Sequence, residues 1–217
     1  MKEKEIMGLF TKKYLSNTRK PKGFMGKKMV SVMNEGTHQR LSDWGMQYVS
    51  FDAGAHVLDM GCGGGANIQK MLGKVSDGHV SGADYSDISV AKSREVNKDA
   101  ISEGRCDVVR ADVTKLPFEE GTFDLITAFE TVYFWPDLNV SFREIARVLK
   151  KGGIFMITNE STGTDETSVH FHNIIDGMNL YTPEELRKYM ENAGLEAVDI
   201  HQDEKEPWIC VTGRRPL

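Results

Sequence analysis

One segment constrains the fold of this chain most: residues 57–65 read Val-Leu-Asp-Met-Gly-Cys-Gly-Gly-Gly. The apolar start predicts a buried strand, and the glycines predict a tight turn into a helix. Without Cβ atoms, such a turn lets backbone N–H groups and the helix N-terminus approach a ligand closely. The segment therefore predicts a cofactor site at the end of a strand in an α/β sheet.

The spacing around this turn allows two classes of cofactor. Gly61, Gly63 and Ala66 fit the G-x-G-x-x-G/A pattern of dinucleotide sites, and Asp84 follows roughly 20 residues later, where an acid would hold a ribose hydroxyl. Asp59, which we expect to face the same crevice, would repel a pyrophosphate and attract an ammonium or sulfonium group. Charge therefore favours S-adenosylmethionine over a nicotinamide dinucleotide.

Three further segments accompany the glycine turn in order and spacing. They are Gly82-Ala83-Asp84-Tyr85-Ser86, the stretch 111–126 that begins Ala-Asp-Val, and Arg147-Val148-Leu149-Lys150-Lys151-Gly152-Gly153. With these segments the chain resembles the class I S-adenosylmethionine-dependent methyltransferases, in particular the small-molecule enzymes similar to the quinone-biosynthesis methyltransferases. The resemblance implies a Rossmann-like, doubly wound α/β sheet of seven strands, in the order 3-2-1-4-5-7-6 with strand 7 antiparallel.

From residue 55 onward, short apolar stretches alternate with helical segments, which is typical of a parallel α/β sheet. We expect strands near 55–60, 79–83, 106–110, 123–129, 153–158, 196–201 and 207–213. Helices are predicted at 86–103, at 138–149 with an αL stop in the glycines that follow, and from the cap Thr182 to Gly194. The short connection 202–206 predicts that the last two strands form an antiparallel hairpin.

We expect two parts in the chain, a helical N-terminal extension at 1–52 and the cofactor-binding domain at 53–217. Two helical stripes mark the extension, namely Met25, Met29, Val32 and Met33, and then Leu41, Trp44, Tyr48 and Val49. These helices either pack on the core or, as in the enzymes that this chain resembles, cover the substrate side of the cofactor. Both interpretations stay open at this stage.

Composition excludes several classes of protein. No apolar run approaches the ~20 residues of a membrane span, and the three cysteines lie far apart without metal-ligand spacing. We therefore expect a cytoplasmic protein with reduced thiols and without membrane association. Residues 1–28 hold nine Lys or Arg and two Glu, which favours a solvated arm over a nucleic-acid-binding segment.

The resemblance assigns cofactor contacts to the ends of the strands. Asp84 is expected to accept from both ribose hydroxyls, with Tyr85 and Ser86 beside the cofactor. Asp112 is expected to accept the adenine amine while Val113 donates its N–H to a ring nitrogen. Gly61 and the carbonyl of Ala128 are expected to hold the methionine end. The remaining expected contacts lie in the turn, and they are Asp59, Gly63 and Cys62, the last as a small residue and not a nucleophile.

The segment after the fourth strand, residues 130–137, should face the reacting methyl group. Glu130, Tyr133 and Glu160 are the candidate catalytic residues, and His170 is a further candidate base. Trp135 is expected to anchor the next helix. His170 and His172 have the spacing of some metal ligands, but without a third ligand they are interpreted as exposed loop histidines, and no metal site is predicted.

The sequence thus predicts methyl transfer from S-adenosylmethionine to a small-molecule acceptor by a monomer or homodimer. Three alternatives remain: an NAD-dependent oxidoreductase, an RNA methyltransferase and a non-catalytic cofactor-binding subunit. Ala128-Phe129-Glu130-Thr131 stands where an Asn-Pro-Pro-Tyr motif would follow the fourth strand. This argues against the amide and exocyclic-amine chemistry associated with that motif.

Overall fold

The computed structural model describes Gly23 and residues 37–217. The first helical stripe and the charged residues of the basic arm lie outside the described residues. Eight stretches of hydrogen-bonded structure form the first half of the described fold: α1 (Thr37–Gly45), a 3-10 turn (Met46–Tyr48), β1 (His56–Met60), α2 (Ala66–Leu72), β2 (His79–Asp84), α3 (Asp87–Val96), α4 (Lys98–Ser102) and β3 (Cys106–Arg110). The second half consists of β4 (Phe123–Phe129), a 3-10 turn (Val132–Phe134), α5 (Leu138–Val148), β5 (Leu149–Asn159), α6 (Glu166–Ile174), α7 (Pro183–Asn192), β6 (Glu196–Gln202) and β7 (Ile209–Arg214).

The strands form one seven-stranded sheet in the order β3-β2-β1-β4-β5-β7-β6. β7 runs antiparallel to both β5 and β6, whereas the other neighbours are parallel. This confirms the predicted order and the terminal hairpin. The order reverses at β1, with β2 and β4 on either side, so the carboxyl end of β1 lies at the switch point where ligands bind in open α/β sheets.

The core explains why β1 reads as a continuous apolar run. Val57 and Leu58 are both fully buried, and they belong to two separate apolar clusters. Successive side chains of a strand point to opposite faces of the sheet, so each face carries its own core. Helices cover both faces, as the parallel sheet requires. Among the described residues, no helix is both long and apolar enough to span a bilayer.

Helix α7 begins and ends as the sequence predicts. The Thr182 hydroxyl accepts from the Glu185 N–H at 3.3 Å, and the Glu185 carboxylate accepts from the Thr182 N–H at 2.8 Å. This is a reciprocal capping box with Pro183 in the first turn. Gly194 follows the helix with a φ of +85°.

The single helix predicted at 86–103 is wrong, because the chain breaks into α3 and α4 at Asn97. The Asn97 side chain is buried, and its amide donates to the carbonyls of Gly65 and Ser93 at 3.1 and 2.9 Å. Its backbone departs from helical geometry (φ −104°, ψ 18°). The break therefore ties the helix after β2 to the glycine turn after β1.

The predicted stop of the next helix is also different. α5 ends in the extended residue Leu149, and β5 begins there without an intervening αL glycine. The last carbonyls of α5 instead accept hydrogen bonds from Gly121 and Thr122, at 3.0 and 2.8 Å. Donors from a neighbouring loop replace the glycine cap, and the chain passes directly from helix to strand.

Candidate functional site

A cavity of about 280 Å³ opens at the carboxyl ends of β1, β2, β3 and β4. The residues that line it come from the glycine turn, the ends of β2 and β3, the segment after β4 and helix α1. They are His38, Gln39, Leu41, Met60, Gly61, Cys62, Gly63, Gly64, Ala66, Asn67, Asp84, Tyr85, Ser89, Ala111, Asp112, Val113, Phe129, Glu130, Thr131, Phe134, Trp135 and Pro136. The cavity thus brings together most of the predicted cofactor contacts.

The glycine turn adopts a backbone that other residues rarely take. Gly61 and Gly63 have φ angles of +81° and +51°. A Cβ at Gly61 would clash with the Thr131 side chain, whereas a Cβ at Gly63 would meet no atom within 4 Å. Gly61 is therefore required by packing, and Gly63 leaves open space in which a ligand can approach the backbone. Cys62 is buried, and burial raises the pKa of its thiol, which disfavours a nucleophilic role.

Asp84 connects the end of β2 to the glycine turn. Its side chain is only 7% exposed, and its two carboxylate oxygens accept from the N–H groups of Gly63 and Ser86 at 3.1 and 2.8 Å. Burial raises the pKa of Asp84, against the effect of these N–H groups. Tyr85 lines the cavity beside it, but Ser86 does not. The Ser86 hydroxyl instead caps α3 by accepting from the Ser89 N–H.

Asp59 does not line the cavity, contrary to the expectation that it faces the crevice. It is 2% exposed and lies in register with Thr127 of β4, whose hydroxyl donates to Asp59 Oδ1 at 2.9 Å. Its Oδ2 is buried, and none of the described residues forms a hydrogen bond with it. Burial raises the pKa of Asp59 to about 7. Asp59 is thus a buried carboxyl inside the sheet, and it is not a full negative charge at the ligand.

The segment after β3 brings Ala111, Asp112 and Val113 to the cavity wall. Asp112 is exposed, and its Oδ1 accepts from the backbone N–H and the hydroxyl of Thr114, at 2.9 and 2.7 Å. This is the side-chain turn that aspartates often form. Asp112 therefore stabilises its own loop while it lies at the cavity.

The segment after β4 begins with a strained residue. Glu130 has a φ of +56°, and Ala197 is the other described non-glycine residue with a positive φ. Such strain costs of order 1–3 kcal/mol and clusters at functional sites. Glu130 lines the cavity together with Phe129 and Thr131, whereas Ala128 is fully buried and does not.

Glu130 is held by two donors. Its Oε1 accepts from the Tyr133 hydroxyl at 3.0 Å and, in a short hydrogen bond, from the Glu160 backbone N–H. Burial, together with the nearby Glu160 carboxylate, raises the pKa of Glu130 to about 8. Tyr133 is 4% exposed and, like Glu160, does not line the cavity. Of the three predicted catalytic residues, only Glu130 reaches the cavity.

Trp135 lies in the cavity wall but is mostly engaged in the core. It packs against Phe142 and Phe155, with ring centroids 5.8 and 6.1 Å away, and its Nε1 donates to the Thr131 hydroxyl at 3.3 Å. Because Phe142 belongs to α5, Trp135 anchors that helix, as the sequence predicts. Phe134 is the more accessible aromatic side chain of the pair.

Helix α1 supplies a wall that the candidate residues of the sequence analysis do not include. His38, Gln39 and Leu41 line the cavity. Leu41 lies in the second helical stripe, and His38 precedes it by three residues, which places both on one face of a helix. This spacing is the sequence signal that could have indicated His38 as a residue of the cavity wall. The predicted loop histidines lie elsewhere: His170 and His172 are exposed on α6, and neither lines the cavity. His170 is therefore not placed to act as a base there.

Comparisons with known proteins find methyltransferases. The family described as "Methyltransferase domain" matches residues 58–157. The chain is 30% identical over 167 residues to Cycloartenol-C-24-methyltransferase 1 of Oryza sativa subsp. japonica, with 71% of this chain and 48% of that protein covered. It is 27% identical over 193 residues to 27-O-demethylrifamycin SV methyltransferase of Amycolatopsis mediterranei, with 85% and 70% covered. The chain thus spans about half the length of the plant relative.

The fold also has close counterparts among solved structures. A SAM dependent methyltransferase from Aquifex aeolicus superposes with a TM-score of 0.72 at 18% identity, over 87% of this chain and 97% of that one. At this identity the likeness is one of fold.

Proposed function

Because this chain belongs to the class I S-adenosylmethionine-dependent methyltransferases, we propose that it transfers the methyl group of that cofactor to a small-molecule acceptor and releases S-adenosylhomocysteine. The observation that carries the proposal is the cavity at the switch point, where open space over Gly63 adjoins the buried carboxylate of Asp84. The names of two relatives, a cycloartenol and a demethylrifamycin methyltransferase, support an acceptor of the small-molecule class.

The residues at the cavity fit the nucleoside part of this cofactor. We assign the ribose hydroxyls to Asp84 and the adenine ring to Asp112 and Val113, with Tyr85 packed beside them. Asp84 is suited to this role because its carboxylate is already fixed by two backbone N–H groups. A group fixed before binding loses little further freedom when the ligand arrives.

The charge of the cavity also fits. None of the described residues that line it is Lys or Arg, whereas Asp84, Asp112 and Glu130 are acids. An acidic cavity favours a ligand that carries a sulfonium and an ammonium, and it disfavours a pyrophosphate. Asp59 is buried away from the cavity and does not supply this charge. Asp84 and Asp112 of the wall supply it, whereas Glu130, with a pKa of about 8, keeps its proton at neutral pH.

When bound, S-adenosylmethionine supplies a methyl group on an activated sulfonium, so alignment with the acceptor provides much of the acceleration. The chain must hold the acceptor in line and exclude water. We assign the methionine end to the turn at Gly61 and to the carbonyl of Ala128. Phe134 and Leu41 of α1 supply apolar cover on the acceptor side.

Where the acceptor must lose a proton, we propose that Glu130 takes it. Glu130 lies in the cavity wall, and a base is most effective when its pKa is near the working pH. Tyr133 and Glu160 lie behind it, so we assign them a positioning role through their hydrogen bonds to Glu130. Their part in the reaction is indirect.

Calorimetric titration tests the proposal. S-adenosylhomocysteine is titrated into the protein, with NAD as the matched control because it shares the adenosine part but adds a pyrophosphate. We expect micromolar binding of S-adenosylhomocysteine and at least hundredfold weaker binding of NAD. Absence of S-adenosylhomocysteine binding would overturn the cofactor assignment. Binding without any methylated product in a metabolite extract, detected by mass spectrometry, would favour a non-catalytic subunit.

A further inference from the structure

We propose that His38, Glu130 and Glu160 form a binding site for one divalent transition-metal ion beside the cavity. The three residues come from separate elements: α1, the segment after β4 and the residue that follows β5. One ligand atom of each, an imidazole nitrogen and two carboxylate oxygens, lies within 4.8 Å of the other two. The fold therefore gathers three side chains that are distant in sequence around one point.

The imidazole of His38 is close to the carboxyl groups of Glu130 and Glu160 but does not contact them. In the part of the chain that the structure describes, no hydrogen bond or ion pair joins His38 to either carboxylate. Around a transition-metal ion with bonds of about 2.1 Å, neighbouring ligand atoms lie about 3.0–3.4 Å apart. The three ligand atoms, which lie within 4.8 Å of one another, would therefore draw closer together, by at most about 1.8 Å between any two, to close around an ion. A relay of protons through the same groups would instead need hydrogen bonds between them.

Two carboxylates lie close together, and among the described residues neither forms an ion pair with a Lys or Arg. Arg40 is engaged with the Glu206 carboxylate at 3.6 Å and with the Trp208 ring. Glu160 is only partly buried, but its Oε1 atom is buried, and no described residue forms a hydrogen bond with that atom. A buried carboxylate oxygen without a partner is costly unless an ion or donor satisfies it.

The ligand set selects the class of metal. Ca²⁺ and Mg²⁺ prefer sites made of oxygen ligands alone, whereas an imidazole with two carboxylates suits Mn²⁺, Fe²⁺ or Zn²⁺. Three protein ligands also leave coordination positions open, as in catalytic sites. Because His38 and Glu130 line the cavity, those positions face the space in which the acceptor would bind.

An ion at this site would lie where it could bind the acceptor. An acceptor oxygen bound to it would be held in place and would lose its proton more readily, a consequence that rests on the proposed methyl transfer. Metal binding itself does not depend on that proposal. The site predicts an acceptor with an oxygen available for coordination, such as a hydroxyl or enol.

MnCl₂ alone, titrated into the untagged full chain, tests the site by calorimetry and by the loss of the free Mn²⁺ electron paramagnetic resonance signal. We expect one ion per chain and at least tenfold weaker binding in both His38→Ala and Glu160→Gln. His170→Ala, which removes an exposed histidine of α6, is the matched control and should bind as the parent does. Absence of binding in the parent, or equal affinity in all four proteins, would overturn the inference.

Two further measurements keep the outcomes apart. Circular dichroism shows whether each variant is folded. If Glu160→Gln is not folded, His38→Ala decides alone, since His38 is only partly buried and its loss should leave the fold intact. S-adenosylhomocysteine is titrated into the metal-free protein as well. Cofactor binding without Mn²⁺ binding overturns the metal site and leaves the methyltransferase proposal standing. Mn²⁺ binding without cofactor binding overturns the cofactor assignment and leaves the metal site standing.

Discussion

At the scale of single residues, the cavity depends on carboxyl groups whose environments differ sharply. Asp84 and Glu130 are fixed by N–H or O–H donors at the cavity, Asp112 closes its own turn, and Asp59 is buried away from the ligand. Carboxyl groups at the ends of consecutive strands thus have separate roles. Substitutions at these positions should separate binding, turnover and stability.

Asp84→Ala should weaken S-adenosylhomocysteine binding by more than tenfold. The substitution removes a charge-assisted acceptor for the ribose, which is worth about 1.4 kcal/mol or more, and it frees the Gly63 N–H that this carboxylate holds. Calorimetry measures the change. Asp84→Asn keeps the shape of the side chain and one acceptor oxygen, so its affinity for S-adenosylhomocysteine should lie between those of Asp84→Ala and the parent. Affinity equal to that of the parent would remove Asp84 from the ribose role.

Tyr133→Phe should lower kcat roughly tenfold and leave S-adenosylhomocysteine affinity within about twofold. The hydroxyl is the side-chain donor that positions Glu130, and a hydrogen bond to a charged group contributes about 1.5–3 kcal/mol. The ring itself stays in its buried place. Steady-state kinetics and calorimetry on the same variant give both quantities. An equal loss of turnover and cofactor affinity would mean that the hydroxyl supports the fold and not Glu130.

Asp59 should make stability fall with rising pH. Its pKa is about 7 in the folded protein, against an ordinary value of 3.8, so the folded state holds a proton that the unfolded state releases. This contribution to stability is fully present below about pH 4 and is lost as the pH rises to about 7. Asp59→Asn removes this pH dependence. The melting temperature of the variant minus that of the parent should therefore be larger at pH 8 than at pH 5.

Asp124 offers a matched control for that experiment. Although burial acts to raise its pKa, the Lys150 ammonium and the His56 N–H lower it. Asp124 is therefore ionised in both states from pH 5 to pH 8, and Asp124→Asn should change stability by the same amount at either pH. If Asp59→Asn behaved likewise, the buried carboxyl would have to be ionised in the folded protein.

At the scale of elements, one cation makes several contacts between helix α1 and the domain. Lys70 of α2 donates to the Gln39 carbonyl and the Ser42 hydroxyl, at 2.8 and 2.9 Å, and pairs with Asp43 at 2.7 Å. Because α1 carries the His38 wall of the cavity, this contact should hold the wall in place. The energy involved is modest, since the ion pair is partly exposed to solvent.

Lys70→Met should therefore loosen α1 without unfolding the domain. The substitution keeps the apolar stem and removes the charge, so hydrogen–deuterium exchange should rise in residues 37–45 while the global melting temperature changes little. Lys92→Met, which removes a surface pair with Glu95 on α3, is the control and should leave exchange in α1 unchanged. Equal protection of α1 in both variants would show that packing, not Lys70, holds the helix.

Local signals explain which elements were predictable. The strands and the α7 capping box follow from periodicity and from contacts three residues apart. The break at Asn97 depends instead on the Gly65 carbonyl, 32 residues earlier in the chain, and the end of α5 depends on donors from residues 121 and 122. The orientation of Asp59 and the approach of His38 to Glu130 are likewise set by packing between elements. Patterns in one segment carry no information about such partners.

At the scale of the whole molecule, the sheet order and the cavity have a common cause. Reversal of the strand order at β1 leaves a crevice between the helices of the two sheet halves. The carboxyl ends of four strands open into it, and α1 covers one side. A ligand in this crevice touches both halves of the domain, so its binding should stabilise the fold as one unit.

S-adenosylhomocysteine should therefore raise the melting temperature of the whole domain in a single transition. At a concentration of 100 times its Kd, a ligand that binds only the folded state adds about 2.7 kcal/mol of stability. For a domain of this size that corresponds to a shift of roughly 5–10 °C. NAD at the same concentration, bound at least hundredfold more weakly, should shift it by at most about 1–2 °C, because its pyrophosphate meets the acids of the cavity wall and none of the described lining residues is a Lys or Arg that could offset them. Equal shifts with both ligands would mean that the cavity recognises adenosine alone, and that the acidic wall does not discriminate between the two cofactors.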